Sequence, residues 1–140
     1  MAEKTQKGGC LCGAVRYEIT GDPMMSGHCH CVDCRKASGA AHATFAAYPE
    51  SAVKMTGKTK TYRTKADSGM MSSRSFCPEC GSWVSGAPES VPGVVAITIA
   101  TFDDPEAVKP QMRFYDKRRL SWDTVDPALT AFPAMPPMPK

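Results

Sequence analysis

Seven cysteines in 140 residues fall into three tight clusters, and that placement constrains the fold more than any other feature of the chain. Cys10 and Cys12 form C-x-C, Cys29, Cys31 and Cys34 form C-x-C-x-x-C, and Cys77 with Cys80 forms C-x-x-C. The first nine residues are polar and lysine-bearing with no apolar run behind them, which does not read as an export signal and points to the cytoplasm. There, an odd number of cysteines does not suit a disulfide framework, because cytosolic thiols are kept reduced. Metal ligation is the reading that the spacing favours.

Two of the clusters share a detail. Cys80 is followed by Gly81 and Cys12 by Gly13, and such a glycine lets a tight turn close round two thiolates aimed at one point. The glycine-flanked pairs therefore predict one tetrahedral site of Cys10, Cys12, Cys77 and Cys80, with the closed four-ligand set of a structural zinc. Structural zinc in small motifs contributes apparent binding free energies of about 10 to 16 kcal/mol, so this domain is expected to depend on every ligand.

Cys29, Cys31 and Cys34 remain, three thiolates where a closed site has four ligands. An open coordination position is what a catalytic zinc keeps for substrate or water. Alternation puts Cys29 and Cys31 on one face of an extended segment, and a turn through Val32 and Asp33 brings Cys34 to them. Arg35 and Lys36 follow directly and offset the excess negative charge of three thiolates. A second structural site closed by a histidine is the rival reading. His28 and His30 would lie on the opposite face of the segment, whereas His42, a loop away, stays open as a fourth ligand. A redox pair at Cys31 and Cys34 is a further alternative, without the βαβ context that a thioredoxin-like motif has.

Twelve prolines and eleven glycines leave no room for long helices. Between them lie short runs of strand character: 14–20, 43–48, 53–56, 59–64 and 94–101, the last suited by its small alternate residues to a core strand covered on both faces. The fold class is mainly β, built of short antiparallel strands, with helix confined to single turns near Pro105, Pro127 and residues 34–38 before Gly39. Residues 1–132 read as one zinc-binding catalytic domain, and 133–140, rich in proline and methionine, as an extended or disordered tail. The longest apolar stretch, 93–102, is half of what a bilayer span needs. A net charge of +3 with one short basic run, Lys117 to Arg119, argues against a dedicated nucleic-acid binder.

The segments Gly9-Cys10-Leu11-Cys12-Gly13-Ala14-Val15-Arg16-Tyr17, Cys29-His30-Cys31-Val32-Asp33-Cys34-Arg35-Lys36 and Phe76-Cys77-Pro78-Glu79-Cys80-Gly81-Ser82 together resemble the glutathione-dependent formaldehyde-activating enzymes and their centromere protein V relatives, from about Gly8 to Phe132. The resemblance implies a β-tent stapled by zinc. It implies two zinc ions per chain, one structural on Cys10, Cys12, Cys77 and Cys80, and one catalytic on Cys29, Cys31 and Cys34. It also implies a carbon-sulfur lyase that condenses glutathione, as co-substrate, with formaldehyde to S-hydroxymethylglutathione. Arg35 stands where the formaldehyde enzyme carries an aromatic residue.

Glutathione is anionic, so a cation beside the open site is expected. Arg35, Lys36, Arg63 and Arg74 are the candidates; Arg63 and Arg74 read as solvated surface charges, and Arg35 is taken as the substrate-binding residue. The expected partners are a small thiol and an aldehyde, and exposed β edges permit a homodimer. Two other classes remain: a non-enzymatic zinc scaffold that binds protein or nucleic acid through Lys117 to Arg119, and a thiol-based metal or redox sensor.

Overall fold

Proline and glycine punctuation sets the length of every element: over residues 4–136, which the computed structural model describes, no strand exceeds seven residues. A small antiparallel sheet has the order β1 (Thr5–Gly9), β2 (Arg16–Thr20), β5 (Val53–Thr56). In β2, Tyr17 and Ile19 are buried while Arg16, Glu18 and Thr20 are exposed, the period of two that a half-buried strand requires.

An eight-stranded sheet runs in the order β11 (Thr130–Ala131), β10 (Met112–Phe114), β3 (Met25–Cys29), β4 (Ala43–Pro49), β9 (Val94–Thr98), β8 (Trp83–Pro88), β7 (Met71–Phe76), β6 (Lys60–Lys65). The mainly β architecture read from the sequence is present, but the large sheet is mixed. β10 runs parallel to both β3 and β11, while the other pairings are antiparallel. β9 lies inside the sheet between β4 and β8, as its two-sided pattern implied. It stops at Thr98 rather than Thr101, because Ile99–Thr101 curls into a 3₁₀ turn in which the Thr101 hydroxyl donates to the Thr98 carbonyl at 2.7 Å.

Alternation along β4 splits the interior in two. Ala46 and Tyr48 join Val15, Tyr17, Ile19, Val84 and Ile97 in one cluster, whereas Ala43 and Ala47 join Met25, Cys29, Cys34 and Phe114 in another. Phe114 stacks on Phe45 at 5.8 Å and on Phe132 at 6.3 Å between ring centroids. The second cluster underlies the cysteine-rich segment, so its packing sets where those sulfurs sit.

The one α-helix among the described residues, α1 (Val32–Ser38), begins two residues earlier than the sequence suggested and ends before Gly39. Its start is fixed by Cys31, whose sulfur accepts from the Cys34 N–H at 3.3 Å in the manner of an N-cap oxygen. Pro105 and Pro127 occupy simple turns, in which the Asp104 and Asp126 carboxylates accept from the N–H groups of Glu106 and Ala128. At the C-terminal end the Phe132 N–H donates to Arg113 and the Tyr115 N–H to Ala134. The expectation for Pro137–Lys140, Met138 included, lies outside the described residues.

Candidate metal centres and active-site cavity

The β1–β2 hairpin and the β7–β8 turn each carry one glycine-flanked cysteine pair. Cys10, Cys12, Cys77 and Cys80 converge, with Cys10 Sγ 3.6 Å from Cys12 Sγ and Cys12 Sγ 3.8 Å from Cys77 Sγ. Zinc–sulfur bonds of ~2.3 Å in a tetrahedron give a sulfur–sulfur edge of about 3.8 Å, so these thiols already stand at ligand spacing. Both turns use left-handed glycine, Gly13 at φ 84° and Gly81 at φ 78°. The Gly81 N–H donates to the Cys77 carbonyl at 2.8 Å, and the Val15 N–H donates to Cys10 Sγ at 3.2 Å. Ser82 ties the two turns together by accepting from the Leu11 N–H at 3.0 Å, with its hydroxyl 3.2 Å from Cys80 Sγ. Those contacts favour the Cys80 thiolate, whose pKa falls to about 5, with the Ser82 hydroxyl as the main cause.

Cys29 at the end of β3, Cys31 at the cap of α1 and Cys34 in its first turn form the second group. The neighbouring Cys29 and Cys34 thiols hold the Cys31 pKa well below the ordinary thiol value, and the proximity of Cys31 drives Cys29 upward. Among the described residues no histidine joins the group, so the rival closed set of three cysteines and a histidine has no geometry behind it. His28 and His30 lie off the cysteine face, as alternation required, and His42 is engaged elsewhere, its Nδ1 2.7 Å from Asp123 Oδ2.

All three sulfurs line a cavity of about 590 Å³. Its walls are largely apolar and include Met25, Phe45, Met71, Trp83, Val91 and Val94. Met135 and Pro136 from the proline-rich end also border it. Arg35 is not among the lining residues. The only basic residue that is, among those described, is Arg74 from β7, one of the cations that the sequence reading had set among the surface charges. Its Nη2 donates to Cys34 Sγ at 3.8 Å, and its guanidinium lies 5.3 Å over the Trp83 ring. Arg63, by contrast, pairs with Glu89 at the surface.

Tyr115 borders the cavity too and is the only non-glycine residue with positive φ among those described, at 53°. Such a conformation costs on the order of 1–3 kcal/mol and concentrates at functional sites. Burial pushes its phenol pKa upward. Neither Trp83 nor Tyr115 was marked by the sequence, since neither sits in a motif. The basic run is largely tied down: Arg118 pairs with Asp67 at 3.2 Å and Arg119 with Asp116 at 3.6 Å. No helix among the described residues is long and apolar enough to cross a membrane.

Two groups of thiols stand close enough together to hold metal ions, and the second of them lines a cavity. The family model for glutathione-dependent formaldehyde-activating enzymes matches residues 5–118. The chain belongs to that family. Among solved structures it is similar to a Rhodobacter sphaeroides protein, at 22% identity and a TM-score of 0.57 over 74% of this chain and 91% of the other, a likeness of fold alone. No curated protein matches the chain. At family level the function is glutathione-dependent activation of formaldehyde, and both cysteine groups of this family member are arranged to hold metal ions.

Proposed function

We propose that this chain is a cytoplasmic zinc-dependent carbon-sulfur lyase that joins a thiol, glutathione in the family's reaction, to formaldehyde or to a larger aldehyde with an apolar body. The observation that carries the reading is the convergence of Cys29, Cys31 and Cys34 on the floor of a 590 Å³ cavity with no fourth protein ligand among the described residues. Those three residues would hold the catalytic zinc, and Cys10, Cys12, Cys77 and Cys80 the structural one. A zinc ion bound by three thiolates supplies Lewis acidity and lowers the pKa of a thiol that reaches its open position.

The remaining work falls to the chain. Arg74 offsets the charge of the thiolates through Cys34 and offers the cavity's cation to a carboxylate of the entering thiol, while its stack on Trp83 fixes the guanidinium plane. As the sulfur lone pair forms the carbon–sulfur bond, the carbonyl π pair moves to oxygen, which needs a proton. The entering thiol gives up its proton to solvent; Tyr115, which lines the same cavity with a phenol pKa raised by burial, gives its proton to the new alkoxide and regains one from solvent, so the addition is proton-neutral overall. The apolar walls exclude water and fit an electrophile larger than formaldehyde.

The test is exchange NMR of a glutathione and aldehyde mixture with and without metal-loaded protein, using formaldehyde and an aromatic aldehyde in turn. Adduct formation and breakdown should accelerate with the wild type and not with Cys31→Ser, which should keep its fold and lose one metal. Acceleration that survives in Cys31→Ser, or unfolding of that variant as complete as that of Cys77→Ser, would remove the assignment.

A further inference from the structure

Behind the cysteine cluster, three histidines meet on the other side of β3. His28 Nδ1 is 2.7 Å from the Thr44 hydroxyl, and the His42 ring lies 4.3 Å from that of His28 and 5.0 Å from that of His30. Into this group comes Asp123, from a loop far along the chain and itself only 6% exposed. Its Oδ2 stands 2.7 Å from His42 Nδ1 and 3.2 Å from His30 Nδ1. His30 is the odd member. It is 1% exposed, and neither of its ring nitrogens has a hydrogen-bond partner in spite of the nearby carboxylate. Buried polar groups are nearly always satisfied, and an unsatisfied one calls for an explanation such as a bound ion.

We propose that His30, His42 and Asp123 form a third metal site, selective for a first-row divalent cation such as zinc or cobalt. Two imidazoles and one carboxylate are a donor set for these ions rather than for calcium or magnesium, which favour oxygen. Bonds of ~2.0 to 2.1 Å in a tetrahedron place neighbouring ligand atoms about 3.3 Å apart, close to the 3.2 Å between His30 and Asp123, and a small opening of the His42 contact completes the set. His42, with 22% of its side chain exposed, gives the ion a route in and leaves a position for water. Arg119 Nη1 donates to the Asp123 carbonyl at 3.1 Å and holds the loop in place.

The site also has a structural consequence. His30 lies between Cys29 and Cys31 in the chain, so an ion on its imidazole holds the backbone between two thiolates from behind. It also fastens Asp123, 81 residues beyond His42, to the residues that follow β3 and precede β4. The competing account is a hydrogen-bonded clamp of His42 and Asp123 with no ion.

Cobalt titration of the full-length protein, with native mass spectrometry of the same samples, separates the two. The wild type should bind one ion more than Asp123→Asn, which keeps the shape of the side chain and an oxygen acceptor for His42, and one more than His42→Gln. The thiolate-to-cobalt charge-transfer band should be unchanged in both variants, because the extra ion has no sulfur ligand. Equal ion counts in wild type and variants, or a thiolate band that falls together with the count, would overturn the proposal. Should the variants fail to fold, the wild type still decides. Cobalt must perturb the ring resonances of His30 and His42 after the thiolate band has saturated, and their silence at that stage refutes the site.

Discussion

Replacing Gly81 with alanine probes the four-thiol geometry through one dihedral angle. Gly81 sits at φ 78°, and a Cβ built there meets no atom within 4 Å, so the substitution adds no clash. What remains is the backbone cost of holding an L-residue left-handed, about 1–2 kcal/mol. Metal binding requires the turn to stay closed, with the Gly81 N–H on the Cys77 carbonyl, whereas a turn that holds no metal has no such requirement. The cost therefore falls on the bound state and should appear as an affinity loss of about five- to thirty-fold. For a domain of 140 residues it should also lower the melting temperature of the metal-loaded protein by roughly 3–7 °C. Competition with a chromogenic chelator gives the affinity, and cadmium NMR shows which thiolate site has changed. Gly81→Asn is the control, because asparagine tolerates the left-handed region and should recover much of the loss. An alanine variant with undiminished affinity, or an asparagine variant as weak as alanine, would refute the argument that this turn is shaped by its metal.

Phe114, fully buried between Phe45 and Phe132, should lose about 3–5 kcal/mol on truncation to alanine, measured by denaturant unfolding, and a loss under about 1 kcal/mol would show that the second cluster is not a packed core. Arg74→Met keeps most of the stem over Trp83 and removes the charge. It should raise KM for glutathione roughly tenfold with a smaller change in kcat, as expected for a charge-assisted contact worth about 1.5 kcal/mol, and an unchanged KM would transfer the role elsewhere. Arg16 makes two hydrogen bonds to Asp103, at 2.9 and 2.5 Å, and holds that carboxyl below its ordinary value of 3.8. A depressed carboxyl contributes stability that is present above its unfolded pKa and is lost as the pH falls through the folded one. The stability gap between wild type and Asp103→Asn should therefore hold above about pH 4 and close below it, and a gap independent of pH would exclude the ion pair as its source.

The thiol sites were legible because their geometry is local. C-x-C and C-x-x-C followed by glycine specify turns that need no tertiary partner, and the structure brings the two glycine-flanked pairs together. β2, β4, β5 and β9 were equally plain in their apolar alternation. β3 and β7 were not. Met25-Ser-Gly-His-Cys and Met71-Ser-Ser-Arg-Ser-Phe carry little strand propensity, and they become strands because a neighbour pairs with them on each side. That explains the exchange of Arg35 for Arg74 at the cavity. Adjacency in sequence put Arg35 beside the last thiol, but α1 carries it past the cavity, whereas the register of β7 against β8 sets Arg74 opposite Gly86, another lining residue. Asp123 left no signal at all, since it is 81 residues from the histidine that it binds.

The two thiol sites also differ in when a growing chain can complete them. Cys29, Cys31 and Cys34 lie within a single stretch of six residues, so a ribosome exposes all three ligands almost at once and before most of the large sheet exists. The four-thiol site joins Cys12 to Cys77 across 65 residues and stays half-built until more than half of the protein has been synthesised. During that interval the N-terminal pair is an incomplete chelate beside a competent one. The spacing of the cysteines thus sets the order in which the two thiol groups are assembled, the three-thiol group first.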